Sequence, residues 1–426
     1  RQRQMCIRDR IKHILSIIWN QRRSNGWIFA ELLVVAGVFW LMVDMFYVDM
    51  RTYYSPLGFD ITNVWRFKLS EQERNPSDSL PGLSEPEKLT RLMSQIRQWS
   101  EVEEVCATYY SCPYSMGNSW REIEPLDGDT SLTSGENFQI RNVTPEYFKL
   151  FRIKTPEGKP VADEIAGIHN ALVLSKEMAD VFYHGRLARG RKVRHSKLDN
   201  TFTVASVSTS IRTDEYKSAE PCFFQSLEGE LFNETVNQFG ARNAELCVRM
   251  KRNYTRDDMN RFLNEMGDRL AADNLFVYGI SNIREFRDIH LDGKGREMSN
   301  KFSLMAFMLV NVFFGIIGTF WLRAQNRRGE IGLRMALGAY DGTLRRYLYL
   351  EGLCLLALTL PFIALFAINM VATDAIDTYR LPFTTGRFAI SFGITYLMMS
   401  GMICLGIWLP VRKVTRMVPA EALHYE

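Results

Sequence analysis

Trp27–Val48 reads WIFAELLVVAGVFWLMVDMFYV, an apolar run broken only by Glu31, Gly37 and Asp44. At about 1.5 Å per residue, a helix of this length crosses a hydrocarbon core of about 30 Å. Three more runs share its character: Phe302–Leu322 (FSLMAFMLVNVFFGIIGTFWL), Tyr347–Val371 and Phe388–Val411. Averaged over 426 residues, 46% hydrophobic and 23% charged residues describe a soluble protein. The segregation of those residues excludes that reading. Gly and Pro, 28 and 14, are too few for a collagen-like or low-complexity chain. A net charge of +4 does not by itself point to nucleic acid. The first run is too long for a signal-peptide core, and no small-residue cleavage pattern follows it.

Charge asymmetry orients the four spans. Seven bases precede the first: Arg1, Arg3, Arg8, Arg10, Lys12, Arg22 and Arg23. Six lie between the second and third: Arg323, Arg327, Arg328, Arg334, Arg345 and Arg346. Arg412, Lys413 and Arg416 follow the fourth, while the loop between the third and fourth balances Arg380 and Arg387 against Asp374 and Asp377. Lys and Arg are retained on the cytoplasmic side. Both termini and the second loop are therefore expected inside, with 49–300 outside. That segment carries 33 basic and 38 acidic residues, net −5, against +9 for the rest. Within Ile11–Trp19, apolar residues fall at 11, 14, 15, 17, 18 and 19, and most of these share one helical face. This reads as an amphipathic helix in the inner interface, or as the cytoplasmic end of a longer first helix.

The expected organisation is an α-helical membrane protein with four transmembrane helices plus an α+β extracytoplasmic domain, in one body or two lobes. Its parts are a cytoplasmic N-terminus (1–26), helix 1 (27–48), the outer α+β domain ending in a stalk (49–300) and helix 2 (301–322). A cytoplasmic loop (323–346), helix 3 (347–371), a short outer loop (372–387), helix 4 (388–411) and a cytoplasmic tail (412–426) follow. Inside the outer domain, alternation predicts strands over 102–109, 138–143, 201–207, 245–250 and 275–278. Helical periodicity marks 87–99, 145–151 and 256–270, and 171–182 reads as a strand entering a helix. The polar stretch 281–300 reads as a partly helical stalk.

No site for chemistry emerges. The nearest approach to a phosphate-binding G-x-x-x-x-G-K-[ST] is Gly185–Lys192 (GRLARGRK), with Arg where Lys is needed and Lys where Ser or Thr is needed. Six scattered His and no Cys-x-x-Cys spacing argue against zinc. Glu31 and Asp44 sit near opposite ends of the first span, where pairing or anchoring outweighs an ion path. Glu31 is expected to reach Arg22, Arg23 or the second loop. Cys106, Cys112, Cys222 and Cys247 occupy the outer segment. A Cys106–Cys112 bridge and four buried free thiols both fit that placement.

The loop Arg323–Gly352 is the most informative stretch after the spans: RAQNRRGEIGLRMALGAYDGTLRRYLYLEG. Apolar residues at 331, 333, 335 and 337 alternate with charges over Glu330–Leu337, which suggests a short two-sided helix. Gly338 suits the left-handed residue that closes it, and Asp341 can cap the next helix. Such a helix, flanked by arginines, can seat its apolar side in a partner's groove while its charges fix register. An ordinary loop retained inside by its arginines is the alternative.

Arg328, Glu330–Gly332, Arg334 and Ala336–Ala339, within RGEIGLRMALGA, resemble the signature after the second span of the MacB/FtsX-like family of ABC-transporter permeases. Pro410–Leu423 (PVRKVTRMVPAEAL) resembles that family's closing P-x-x-K and P-x-E-A-L pattern, and Gly329 departs from its frequent second Arg. The resemblance implies a non-catalytic permease subunit. Its ATPase-coupling residues would be Arg328, Glu330, Ile331, Gly332, Leu333, Arg334, Ala336, Leu337, Gly338 and Ala339. ATP and Mg would be bound by a separate P-loop ABC ATPase, because this chain begins almost at the membrane; the chain itself would hold no cofactor and no metal. It implies a second permease subunit, identical or related, a bacterial inner membrane and, in some members, a periplasmic adaptor or outer-membrane duct; no nucleic acid is involved. The implied work is mechanical export or extraction of a peptide, drug, lipid or lipoprotein. The alternative is an FtsX-like transmitter that regulates cell-wall hydrolases, against which the size of 49–300 argues.

Overall fold

A computed structural model describes residues 16, 18–20, 22–73, 82–115, 117–127, 135–195, 201–326, 329 and 341–414. The first apolar run extends at both ends into α1, Arg22–Tyr53. Short elements then alternate: β1 Val64–Glu71, α2 Glu85–Arg97, β2 Val102–Tyr109, β3 Trp120–Pro125, β4 Asn137–Val143, α3 Glu146–Leu150 and α4 Val161–Ile165. Next come β5 Ala171–Leu174, α5 Lys176–Tyr183, β6 Lys192–His195, β7 Thr201–Val207, β8 Cys222–Ser226 and α6 Gly229–Phe239. They are followed by β9 Glu245–Met250, α7 Arg256–Met266, β10 Ala271–Ala272 and β11 Leu275–Asn282. Three long helices end the described chain: α8 Ile283–Asn326, α9 Asp341–Ala372 and α10 Thr385–Val414. The polar stretch expected as a stalk is helical throughout, and α8 runs unbroken from it into the second apolar run.

The chain divides into two compact units, 1–53 with 296–426, and 54–295. Among the described residues, four helices are long and apolar enough to cross a membrane, over Asn25–Tyr53, Ile283–Thr319, Arg346–Ala372 and Thr385–Trp408, and all but the first residues of the second lie in the first unit. The unit therefore supplies the membrane part of the protein. Its core joins Ala36, Phe39 and Trp40 of α1 to Leu355, Ile363 and Ala367 of α9 and to Met399 and Ile403 of α10. Most of 11–19 and of the tail after Val414 lies outside the described residues.

The second unit is built on one eleven-stranded mixed sheet among the described residues, ordered β10-β11-β1-β9-β2-β4-β3-β6-β7-β5-β8. Two regions differ within it. The five strands β10, β11, β1, β9 and β2 pair antiparallel throughout. Helices α2, α6 and α7 bury Leu89, Leu92, Val236 and Phe262 against Phe67, Val105, Leu246 and Val248 of that sheet. The remaining strands close on themselves, because β8 also pairs parallel with β4, from Gln139 opposite Cys222 to Val143 opposite Ser226. Closure removes the open edges that six short strands would otherwise expose. Leu172, Leu174, Phe182, Val193, Val204 and Phe223 fill this ring and the α5 side of it. The two regions join where β2 meets β4 through Thr108 and Tyr109, within one compact unit.

Local chemistry explains where the helices begin and end. Ser175 Oγ accepts from Met178 N at 3.2 Å and starts α5, which stops at His184 with φ 49°. Thr255 and Asp258 form a reciprocal capping box at the start of α7. Ser84 and Glu87 do the same for α2. Each box satisfies backbone N–H groups that the first helical turn leaves without carbonyl partners.

Candidate functional site

All ten residues singled out for ATPase coupling, Arg328, Glu330, Ile331, Gly332, Leu333, Arg334, Ala336, Leu337, Gly338 and Ala339, lie outside the described residues. On either side, α8 is described as far as Asn326 and α9 from Asp341.

At the other end of the helical unit, an ion-pair system binds α1 to α10 and to the loop before it. Asp44 accepts from Arg387 through both carboxylate oxygens, at 3.0 Å to Nε and 2.5 Å to Nη2. Both side chains are about 1% exposed. The guanidinium also donates to the carbonyls of Asp377 (2.8 Å) and Leu381 (2.5 Å). Asp49 accepts from Arg380 at 2.7 Å, and Arg380 in turn pairs with Asp377. Burial raises the Asp377 carboxyl, but the backbone and side-chain hydrogen bonds from Arg380 outweigh it and hold it below the usual value. Trp40 donates to Ser391 Oγ at 3.2 Å beside this pair. Asp44 thus pairs, as expected of an acid near a span's end. Glu31 accepts from Thr319 of α8 at 3.0 Å, and most of the second loop, one of its expected partners, lies outside the described residues. A hydroxyl one helix away satisfies it.

The mixed-sheet unit holds a second polar cluster. Glu245, at the start of β9, is buried and accepts at 2.8 Å from Thr108 Oγ1 and from the backbone N of Ser111 and Cys112. Arg66 lies 3.4 Å from its other oxygen. One carboxylate therefore shapes the loop that leaves β2. Tyr114, in that loop, donates to Glu215 at 3.1 Å, and Arg287 donates to the same oxygen at 2.6 Å. Asp214, fully buried, meets His290 at 3.2 Å and also Lys294. Burial raises Asp214, yet the hydrogen bonds from Lys294, Tyr216 N and His290 hold it below its usual value. Arg212 fixes this corner by donating to the carbonyls of Ser55, Glu215 and Lys217.

Between these groups opens a cavity of about 450 Å³ lined by Arg66, Tyr110, Tyr114, Phe286, Ile289 and His290, with Ser115 and Glu245 among its walls. Ser115 Oγ is buried there without a hydrogen-bond partner. No group of three or more metal-ligating side chains is placed to hold an ion among the described residues. An aromatic wall beside paired charges suits binding of an amphipathic guest.

Sequence reasoning did not anticipate this cluster. The available signal was the spacing of Arg287, His290 and Lys294, three and seven residues apart on one helical face, and the acidic pair Asp214–Glu215 after Arg212. The sequence leaves open a Cys106–Cys112 bridge or four buried free thiols. Cys106, Cys112, Cys222 and Cys247 are free and buried. Cys106 lies inside β2 directly opposite Cys247 of β9, and Cys112 Sγ is 3.6 Å from Cys247 Sγ. Cys247 therefore lies beside both of the other thiols.

The model of the FtsX-like permease C-terminal family matches residues 302–419. No curated protein matches the chain. The periplasmic region of MacB from Actinobacillus actinomycetemcomitans is similar at 14% identity and TM-score 0.33, over 56% of this chain and 97% of that one. A permease-protein domain from Porphyromonas gingivalis gives 16% and 0.34, over 52% and 90%. The extracellular domain of the noncanonic ABC-type transporter YknZ from Gram-positive bacteria gives 14% and 0.28, over 50% and 100%. The matched segment 302–419 holds three of the four membrane-length helices and the arginine-rich loop, and the α+β domain precedes it in sequence. Residues 302–419 are thus similar to the C-terminal part of FtsX-like permeases, and the chain has the four membrane-length helices expected of a membrane protein.

Proposed function

We propose that this permease converts ATP hydrolysis by a separate ATPase subunit into motion of its α+β domain, and that the work done is export or extraction of a peptide, drug, lipid or lipoprotein. The family match across 302–419, which encloses the loop 323–346, carries this reading. Two ATPase subunits, with their ATP and magnesium, grip residues 330–339 of two permease subunits. Their closure displaces α8 and α9. Since α8 is continuous from Ile283 to Asn326, a displacement at its loop end moves its other end too. Both termini and the loop face the cytoplasm of a bacterial inner membrane, and the α+β domain faces outward. There Tyr110, Phe286 and Ile289 offer an apolar wall beside the Arg66–Glu245 pair to an amphipathic guest.

Affinity purification of the full chain from its native membrane tests the assignment. A P-loop ATPase should co-purify, and its hydrolysis should rise when peptides or lipids are added. Nucleotide hydrolysis by the chain alone would overturn the division of labour. Capture of a cell-wall hydrolase by the α+β domain, without stimulation by peptide or lipid, would replace transport with signal transmission.

A further inference from the structure

Three of the four cysteines in the α+β domain meet at one point. β2 and β9 pair so that Cys106 stands opposite Cys247. Cys112, in the loop after β2, brings its Sγ to 3.6 Å from that of Cys247, although the two are 135 residues apart in sequence. All three are buried. The backbone on both sides is already fixed. The N–H of Cys112 donates to Glu245, two residues before Cys247 on the same strand. Tyr147 donates to the carbonyl of Ser111 at 3.2 Å.

We propose that Cys112 and Cys247 are joined by a disulfide in the mature protein, a staple tying the loop 110–117 to β9. The inference rests on the outward placement of this domain, because only an oxidising compartment maintains such a bond. Cys112 is the preferred partner on mechanical grounds. Cys106 and Cys247 are both held in a hydrogen-bonded ladder, and β9 is paired on its other side with β1 as well. Bringing sulfurs from 3.6 Å to the roughly 2.05 Å of a disulfide is easier when one of them sits in a loop. Tyr110 and Tyr114 of this loop take positive φ, 54° and 60°, so its path already turns sharply on both sides of Cys112.

The reaction is a thiol–disulfide exchange with an incoming protein disulfide. One cysteine thiolate attacks it, giving a mixed disulfide and releasing one thiol of the oxidant. The second cysteine thiolate then displaces the oxidant's other sulfur. One S–S bond forms and one breaks. Both protons leave the two cysteines, and the pair of electrons reduces the oxidant to a dithiol. The exchange belongs to folding. In the finished core, Cys112 is pushed well above the ordinary thiol range by its contact with Cys247 and by burial, which suppresses the thiolate that must react. The consequence is local. Tyr110, Tyr114, Ser115 and Gly117 of the stapled loop line the cavity described above, so the bond holds one of its walls.

The full chain, purified without reductant, is denatured in an alkylating agent, digested and analysed by mass spectrometry. The expected product is a peptide pair linked through Cys112 and Cys247, two hydrogens lighter than its parts, with Cys106 and Cys222 alkylated. Cys112→Ser should release the Cys247 peptide for alkylation. Alkylation of both Cys112 and Cys247 overturns the proposal, and so does a bridge from Cys106 to either. Leu187→Cys, at a site 78% exposed, separates this from the topology. Should a membrane-impermeant maleimide label Leu187→Cys in intact cells while Cys112 and Cys247 both alkylate, the staple alone fails. Labelling of Leu187→Cys only after lysis removes the outward placement instead.

Discussion

Asp44 and Arg387 are joined by two hydrogen bonds, and each is about 1% exposed. Removing one partner leaves a charge where water cannot reach it, which costs about 3–5 kcal/mol. Asp44→Asn or Arg387→Leu alone should lower the unfolding midpoint of the detergent-solubilised protein strongly. The double change Asp44→Leu with Arg387→Leu should cost less than either single change. Equal or additive losses would mean that the pair does not act as a unit. Asp214 offers a pH test in the other unit. Its carboxyl is held below the usual 3.8 by Lys294, Tyr216 N and His290 against the effect of burial. A depressed carboxyl stabilises the fold above its unfolded value and loses that contribution as pH falls through the folded one. Asp214→Asn should therefore destabilise the full chain by about 3 kcal/mol at pH 7. The gap to wild type should shrink progressively below the usual 3.8; a gap independent of pH rejects the ion-pair account. The pairing of Asp44 could be foreseen from its place at a span's end, though not its partner. The pairing of Asp214 could not, because its partners lie on α8, His290 and Lys294, 76 and 80 residues further along.

Elements with a clear period or cap were legible. Val102–Tyr109 and Glu245–Met250 fall where alternation places them, and helical spacing over 256–270 finds α7, which ends at Met266 before a 3-10 turn over Gly267–Leu270. Those that escaped notice have physical excuses of different strength. β8, Cys222–Ser226, reads CFFQS, and its adjacent Phe223 and Phe224 break any alternation. β6, Lys192–His195, is short and basic. β1 does alternate, with Phe67 and Leu69 facing the core, and could have been found. α8 was read as a stalk plus a span, and the structure joins them in one 44-residue helix. Gly293 and Gly295 lie in its polar part, and a Cβ at either would meet nothing within 4 Å. Ala should therefore fit, and relieve the roughly 1 kcal/mol that glycine costs in a helix. Pro at 295 would remove a backbone hydrogen bond at a cost of about 3 kcal/mol or more and break the rod. In the reconstituted complex, Gly295→Ala should keep peptide- or lipid-stimulated ATPase activity, and Gly295→Pro should lose the stimulation while basal hydrolysis persists. Full stimulation in the proline variant would show that force does not travel along α8.

For the molecule as a whole, the proposed function gives the force path one entry, the loop 323–346, which the family match encloses. Segregated charge, +9 over the spans and their flanks against −5 over 49–300, favours an inward loop and an outward α+β domain. If Ile331, Leu333 and Leu337 are the anchors that an ATPase groove buries, each contributes about 1.5–3 kcal/mol. Leu337→Asp forfeits that burial and adds the desolvation of a carboxylate, so about 3 kcal/mol is a fair lower figure. Tenfold in affinity corresponds to about 1.4 kcal/mol, which makes the loss roughly a hundredfold or more. Titration of the ATPase onto the full chain should show that drop for Leu337→Asp. Val34→Asp is an unsuitable control, because it charges a membrane span and would perturb insertion. Gly329→Arg is the useful one, since it restores the base that the family resemblance leads one to expect and should bind at least as tightly as wild type. If Leu337→Asp binds the ATPase with undiminished affinity and its complex still responds to peptide or lipid, force enters elsewhere, and the groove-binding helix must be abandoned even though the family match over 302–419 is unaffected.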